Sequence, residues 1–82
     1  MKRIRFSPYV QSDVRAIDRE NAMRVLNALH RYADEGHGDV KALEGDQAGL
    51  LRLRVGEYRV LFDETGDSIY VHRVRNRREA YR

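Results

Sequence analysis

Arginine is the residue type with which this chain could act on phosphate groups. Arg52, Arg54 and Arg59 fall within one short stretch of alternating apolar and basic residues. A second group closes the sequence and consists of five further arginines and one tyrosine: Arg73, Arg75, Arg77, Arg78, Arg82 and Tyr81. A guanidinium group chelates phosphate oxygens with a planar fork and stacks on bases better than an ammonium group does. Both groups therefore indicate anion binding.

The distribution of charge supports this interpretation. Residues 1–49 carry eight Lys or Arg and eight Asp or Glu, so this part is neutral. Residues 50–82 carry eight Arg against five Asp or Glu, and this difference accounts for the whole net charge of +3. Positive charge concentrated in one part of a small protein favours a polyanionic partner.

Several other classes of protein are disfavoured. The 82 residues include no cysteine, which excludes disulfides and thiolate zinc sites. The three histidines show no ligand spacing with carboxylates, and phosphate-binding glycine loops are missing, so we expect neither a metal nor an organic cofactor. No apolar stretch is long enough for a signal peptide or membrane span, and we expect no membrane partner and a cytoplasmic location.

The elements that must position the arginines begin with a strand and two helices. Residues 3–6 alternate basic and apolar side chains, as a short edge strand does. Ser7 and Pro8 provide an N-cap and a first helical residue, and Asp18 can cap a second helix. The second helix has an apolar stripe of Ala22, Val25, Leu26, Leu29 and Ala33, and Gly36 and Gly38 end it.

A polar connection then leads to a period-two pattern that predicts strands. Residues 51–55 and 58–62 alternate apolar and other side chains, and Gly56-Glu57 between them suits a type II′ turn. With that turn Val55 faces Tyr58, Arg54 faces Arg59 and Arg52 faces Leu61. The three arginines then share the face opposite the core, where like charges repel.

A further turn at residues 65–67 and a strand over residues 68–74 complete the pattern. We therefore expect one α+β domain spanning residues 1–82. It would consist of an N-terminal strand, a two-helix hairpin and a three-stranded antiparallel meander, followed by a short C-terminal tail or helix. We expect the whole sheet to be antiparallel.

Three segments carry a resemblance to a known family: GDVKALEG at 38–45, LRLRVGEYRVLF at 51–62 and VRNRREAYR at 74–82. In order, spacing and chain length they are similar to the RelE branch of the RelE/ParE toxin superfamily, whose fold resembles microbial RNases. The resemblance covers nearly the whole chain. It implies a toxin of a type II toxin–antitoxin system that cleaves messenger RNA on the ribosome and inhibits translation.

The resemblance also implies roles for individual residues. Cleavage in this family is attack by an RNA 2′-hydroxyl on the adjacent phosphate, stabilised by basic side chains without a metal. Arg52 and Arg59 match catalytic basic positions of the hairpin, Arg77 matches the arginine that stabilises the leaving side, and Tyr81 matches the C-terminal tyrosine. Four further arginines would bind RNA: Arg54, Arg75, Arg78 and Arg82.

The identity of the proton acceptor is left open. Arg52 keeps its proton in proteins and cannot be a general base. Many relatives have Gly-His or Gly-Lys where this chain has Arg75-Asn76, and Tyr81 would need a strongly lowered pKa. His72 lies on the last predicted strand, where a lone histidine is more often a packing or surface residue.

Two other functions remain possible from the sequence. ParE-like members of the superfamily inhibit DNA gyrase, and an inactive relative would only repress its own operon together with an antitoxin. The family implies a cognate antitoxin encoded in the same operon, through which alone the toxin would contact operator DNA. The leading hypothesis adds the ribosome and messenger RNA as partners.

Overall fold

The computed structural model describes residues 1–76. These residues form, in order, one strand, two helices and four more strands: β1 (Arg3–Phe6), α1 (Pro8–Arg15), α2 (Arg19–Glu35), β2 (Asp39–Ala42), β3 (Leu51–Val55), β4 (Tyr58–Glu64) and β5 (Ser68–Asn76). A short 3₁₀ turn, Gly45–Gln47, lies between β2 and β3. Neither helix is long and apolar enough to cross a membrane.

The strands form one mixed sheet in the order β1-β5-β4-β3-β2. Strands β2 to β5 pair antiparallel, which confirms the predicted α+β class and the meander. The expectation of a wholly antiparallel sheet was wrong, because β1 pairs parallel to β5. No hairpin joins β1 to β5, so local turn geometry does not determine their relative direction.

Strand β2 was absent from the prediction, which assigned the segment before β3 to a polar connection. Of its four residues only Val40 is half-buried, and the others are exposed. An edge strand with one buried side chain gives almost no period-two signal. Its conformation comes from pairing with β3, a tertiary interaction.

Both predicted helix starts are confirmed by their caps. Ser7 Oγ accepts a hydrogen bond from the Tyr9 amide at 3.3 Å, and the Asp18 carboxylate accepts one from the Asn21 amide at 3.2 Å. Helix α2 ends at Gly36, whose φ of 75° lies in the left-handed region that glycine tolerates.

The β3–β4 hairpin has the predicted register. Val55 pairs with Tyr58, Arg54 with Arg59 and Arg52 with Leu61. Gly56 has a φ of 59° and Glu57 does not have a positive φ, as a type II′ turn requires.

The core lies between α2 and one face of the sheet. Helix α2 contributes Val25, Leu29 and Ala33, and the sheet contributes Leu53, Val60, Phe62, Ile69, Val71 and Val74. Because alternate strand residues point to opposite faces, this apolar layer leaves the arginines of β3 to β5 on the other face.

Glu64 anchors β4 to the elements on the core side. It accepts hydrogen bonds from Lys2 Nζ at 2.5 Å and from the Tyr32 hydroxyl at 2.7 Å. Burial raises the pKa of Tyr32 to about 12, and the hydrogen bond to the charged Glu64 adds to that rise. Burial would raise the pKa of Glu64 too, but the two hydrogen bonds and the Lys2 charge outweigh it and lower that pKa.

Candidate functional site

Basic side chains form a row across three strands on the face opposite the core. Arg54 of β3 pairs with Arg59 of β4, which pairs in turn with Arg75 of β5. Neighbouring strands lie about 4.8 Å apart, so the backbones of these three residues span only about 10 Å. We call Arg54, Arg59 and Arg75 the arginine row. Like charges placed directly opposite each other destabilise a sheet.

A second row of side chains lies beside the arginine row, two residues further along each strand. There Lys41 of β2 pairs with Arg52, Arg52 with Leu61 and Leu61 with Arg73. The two rows bring six basic residues from four strands onto one face. No local property of the sequence produces this concentration, because it depends on the register of every strand pair.

Parts of both rows line one cavity of about 350 Å³, which we call the arginine cleft. The segment between β2 and β3 forms one wall, and the sheet forms the floor. The lining residues are Leu43, Gln47, Leu50, Arg52, Arg59, Leu61, His72, Arg73 and Arg75. No carboxylate belongs to this lining within residues 1–76, so the cleft favours an anion.

Arg52 is largely enclosed, with 12% of its side chain exposed. Its Nη2 lies 3.4 Å from Asp39 Oδ1 on β2, the strand that the sequence did not reveal. Its Nε is buried and has no hydrogen-bond acceptor among the described residues. A buried donor without an acceptor costs free energy, and an anion bound in the cleft could offset that cost.

Arg73 has a structural partner outside the cleft. Its Nε and Nη2 both donate to the Asp13 carboxylate at 2.9 Å, and the Val74 amide donates to the same group at 3.0 Å. Burial would raise the pKa of Asp13, but these hydrogen bonds and the charges of Arg73 and Arg75 outweigh it and lower the pKa. Asp13 therefore joins α1 to the outer edge of β5 and fixes one wall of the cleft.

Arg54 lies outside the arginine cleft although it belongs to the arginine row. Its exposed side chain lines a separate depression with Arg24, Asn27 and Arg31 of α2. Arg52, Arg59 and Arg75 of the predicted site residues thus line one cleft, and Arg54 does not line it although it pairs with Arg59. Its predicted role in RNA binding stays a prediction.

Four predicted site residues lie outside the described part of the chain: Arg77, Arg78, Tyr81 and Arg82. Their predicted roles in catalysis and RNA binding remain predictions.

The sequence pattern indicated a lone histidine at position 72, and the structure gives His72 a partner. His72 Nε2 lies 2.6 Å from Asp63 Oδ2, and the His72 ring packs edgewise against Tyr70 with 4.8 Å between ring centroids. His72 also lines the arginine cleft. A hydrogen-bonded histidine and carboxylate can exchange a proton with a bound molecule.

The predicted turn at residues 65–67 would place Asp63 opposite Ile69, so the sequence did not signal this pair. In the structure Asp63 pairs with Tyr70, and two residues further along the same face is His72. Diagonal neighbours of this kind are within reach of long side chains. The sequence did not reveal the irregularity between Leu61 and Phe62, which inserts His72 as an extra residue between Val71 and Arg73.

The geometry supports two kinds of chemistry in one place. Guanidinium groups from three strands can hold an oxyanion in the cleft, and the adjacent histidine can accept or donate a proton. Both are needed for transfer reactions at phosphorus, and neither depends on a bound cofactor.

One known family matches almost the whole chain. Residues 4–81 match the family model described as the ParE toxin of the type II toxin–antitoxin system parDE. No curated protein matches the chain in sequence.

Solved structures show the same fold at low sequence identity. The chain matches one in the RelB–RelE antitoxin–toxin complex of Methanococcus jannaschii with a TM-score of 0.77 and 22% identity, covering 94% of each chain. A chain of the YoeB–YefM complex of Staphylococcus aureus matches with a TM-score of 0.74 and 17% identity, covering 92% of this chain and 95% of that one. A chain of the archaeal RelE–RelB complex of Pyrococcus horikoshii matches with a TM-score of 0.73 and 24% identity, covering 93% of this chain and 94% of that one.

Proposed function

Since the chain belongs to the RelE/ParE superfamily of type II toxin–antitoxin toxins, we propose that it is a ribosome-dependent messenger RNA endonuclease. The observation that carries this proposal is the convergence of Arg52, Arg59 and Arg75 on one cleft that has no carboxylate in its described lining. The reaction would take place in the cytoplasm, where translating ribosomes present the message.

The cleft fits the electrostatic demands of RNA cleavage. When a 2′-hydroxyl attacks the adjacent phosphate, negative charge accumulates on the non-bridging oxygens of the pentacovalent transition state. Donors that are already oriented toward that charge lower the barrier, each typically by about 2.7–4 kcal/mol. Arg52, held by packing and by Asp39, is preorganised in this sense.

Dependence on the ribosome follows from the composition of the site. No phenylalanine, tyrosine or tryptophan belongs to its described lining to grip a base. Binding to the decoding site would supply the alignment of the 2′-hydroxyl with phosphorus that the toxin alone does not impose.

Inhibition of DNA gyrase is the second candidate function, and the family match favours it, because the matching model describes ParE toxins. In that case the arginine cleft would be a binding surface without catalysis. A third candidate is an inactive toxin that only takes part in repression of its operon.

All three candidates imply a cognate antitoxin. The related structures from M. jannaschii, S. aureus and P. horikoshii are complexes of RelE or YoeB with RelB or YefM. We propose a partner of this kind for the present chain. Binding of such a partner would also stabilise the fold by mass action.

The test compares the wild type with an Arg59→Ala/Arg75→Ala variant under tightly controlled expression. New 5′ ends of messages are mapped with ribosomes present and absent. The control is Arg15→Ala/Arg19→Ala, which removes the same charge from exposed helical positions. We expect ribosome-dependent cuts in the wild type and the control, and their loss in the cleft variant.

Other outcomes identify the alternatives. Growth arrest with intact messages, together with inhibition of gyrase supercoiling by the purified protein, would replace the proposal with the second candidate. No arrest under any condition would favour the repression role.

A further inference from the structure

The proposed cleavage needs a proton acceptor, and the arginines cannot provide one. The 2′-hydroxyl must lose its proton as it attacks phosphorus, whereas arginine stays protonated in proteins. The structure places another titratable group among them, because His72 lines the same cleft as Arg52 and Arg59.

We propose that His72 is the general base of the cleavage and that Asp63 is its positioning residue. This inference rests on the proposed endonuclease function and names the proton acceptor for it. The juxtaposition that carries it is the His72–Asp63 hydrogen bond at the edge of the arginine cleft.

The hydrogen bond determines which nitrogen of His72 is available. The Asp63 carboxylate can only accept a hydrogen bond, so the 2.6 Å contact requires the proton on Nε2 of His72. In the neutral imidazole the other nitrogen, Nδ1, then carries the lone pair. Nδ1 is thus the atom that accepts the 2′-hydroxyl proton.

Three further contacts hold the histidine in place. The Ser7 hydroxyl donates to the His72 carbonyl at 2.6 Å, the Ser7 amide donates to the Val71 carbonyl at 2.8 Å, and the Tyr70 ring packs against the imidazole. The side chains of His72 and Asp63 are nevertheless 37% and 44% exposed. The pair is oriented by its surroundings and still accessible to a substrate.

The 2′-O–H bond breaks and its proton moves to Nδ1, while the 2′-oxygen forms a bond to phosphorus. The bond from phosphorus to the 5′-oxygen then breaks, and the leaving oxygen takes a proton from water. The products are a 2′,3′-cyclic phosphate and a 5′-hydroxyl, and His72 later returns its proton to solvent.

The test measures single-turnover cleavage of a labelled message on programmed ribosomes. His72→Gln keeps an N–H donor for Asp63 but lacks a basic nitrogen, so we expect cleavage to slow by about 10²–10⁴-fold, the range typical of a lost general base. The matched control is His30→Gln, an exposed histidine on α2 that lies outside the cleft. Its rate should equal that of the wild type.

Two further measurements separate a base from a structural residue. Cleavage by His72→Ala should rise at least tenfold on addition of free imidazole, which can replace a missing base but not a missing packing contact. A message with sulfur in place of the leaving 5′-oxygen should not restore His72→Gln, because that substitution corrects the loss of a general acid only.

The role of Asp63 is tested by a double-mutant cycle. Asp63→Asn should lower the cleavage rate at saturating toxin and leave the apparent KM unchanged, and Asp63→Glu should recover part of the rate. The double variant Asp63→Asn/His72→Gln should cleave as fast as His72→Gln alone, since a positioning residue has no effect once the base that it positions is absent.

The outcomes distinguish this inference from the proposed function. If the wild type and His72→Gln cleave equally well, or if the sulfur substrate restores the variant, His72 is not the base and the endonuclease proposal stands. If the wild type itself never cleaves messages, both are overturned. Urea unfolding of each variant shows whether a lower cleavage rate results from unfolding. If His72→Gln does not fold, the cleavage rate of folded Asp63→Asn decides whether the His72–Asp63 pair takes part in catalysis.

Discussion

Two sets of charged residues on this small sheet are built in opposite ways. The first set consists of carboxylates that join elements: Asp13 holds α1 on β5, and Glu64 joins β4 to Lys2 and Tyr32. The second set consists of Arg52, Arg59 and Arg75 in the arginine cleft, where basic side chains from adjacent strands lie together with no carboxylate in the described lining.

The difference shows where the protein uses charge for stability and where it retains charge for binding. Each carboxylate of the first set is mostly buried and receives several hydrogen bonds, an arrangement that lowers its pKa and favours the folded state. The arginines of the second set gain little from one another and repel across the strands. Such a local conflict is expected at a functional site.

Among changes to the carboxylates and arginines of these two sets, the largest expected effect is on catalysis in the second set. Arg52→Gln retains much of the aliphatic stem that packs on the sheet but removes the charge, so we expect cleavage on programmed ribosomes to fall by about 10²–10³-fold. The free energy of unfolding in urea should change by less than about 1 kcal/mol. Lys41→Gln, opposite Arg52 in register, is the control. Equal rates for the two variants would contradict a specific role for Arg52.

Next in size is the loss of the Asp13 contacts in the first set. Asp13→Ala leaves the Val74 amide and the Arg73 guanidinium without their acceptor, and we expect the free energy of unfolding to fall by about 2–3 kcal/mol. Asp13→Asn keeps one acceptor oxygen and should lose less. Urea titrations at pH 7 measure both. A loss below about 0.5 kcal/mol for Asp13→Ala would show that α1 is held by other contacts.

A smaller effect concerns the pH dependence of stability. The pKa values of Asp13 and Glu64 are lower in the folded protein than their ordinary 3.8 and 4.5, so the unfolded chain takes up protons first as the pH falls. Their contribution is complete above about pH 5 and is lost as the pH falls toward the folded-state values. Glu64→Gln should lower the free energy of unfolding by about 1 kcal/mol at pH 7 and should make the decline of that free energy between pH 5 and pH 3 less steep. An unchanged slope would exclude Glu64 as a source.

The smallest expected effect is a gain in stability. Arg54→Thr removes one of two like charges that face each other across β3 and β4 and introduces a β-branched residue, so the free energy of unfolding should rise by a few tenths of a kcal/mol, roughly the range for such pairs. The gain should shrink when salt screens the repulsion. A loss of stability at low salt would mean that the pairing of Arg54 with Asp39 outweighs its repulsion of Arg59, and the contrast between the two sets would weaken.

Much of the site could be read from the sequence because it lies in a local hairpin. The alternation in LRLRVGEYRVLF and the Gly56-Glu57 turn determined the β3–β4 register, and with it the pairing of Arg54 with Arg59 and the face of Arg52. A two-residue turn permits only one register that buries the apolar side chains. The same logic predicted both helices, since their caps and apolar stripes are local patterns.

Other features depended on contacts between distant segments. Strand β2 exists because it pairs with β3, and Asp39 can approach Arg52 only through that pairing. The parallel pairing of β1 with β5 depends on the path of the helices across the sheet. The Asp13–Arg73 contact joins residues 60 positions apart, and no periodicity signals it.

The sequence by itself therefore determined the family, the α+β class and the face on which the hairpin arginines lie, because turn residues, caps and alternation act over a few residues. Only the tertiary structure decided which basic side chains share a cleft. It placed Arg75 beside Arg59, left Arg54 outside the arginine cleft and placed His72 next to Asp63. Each of these outcomes depends on how separate strands meet, and a bulge of one residue is enough to change it.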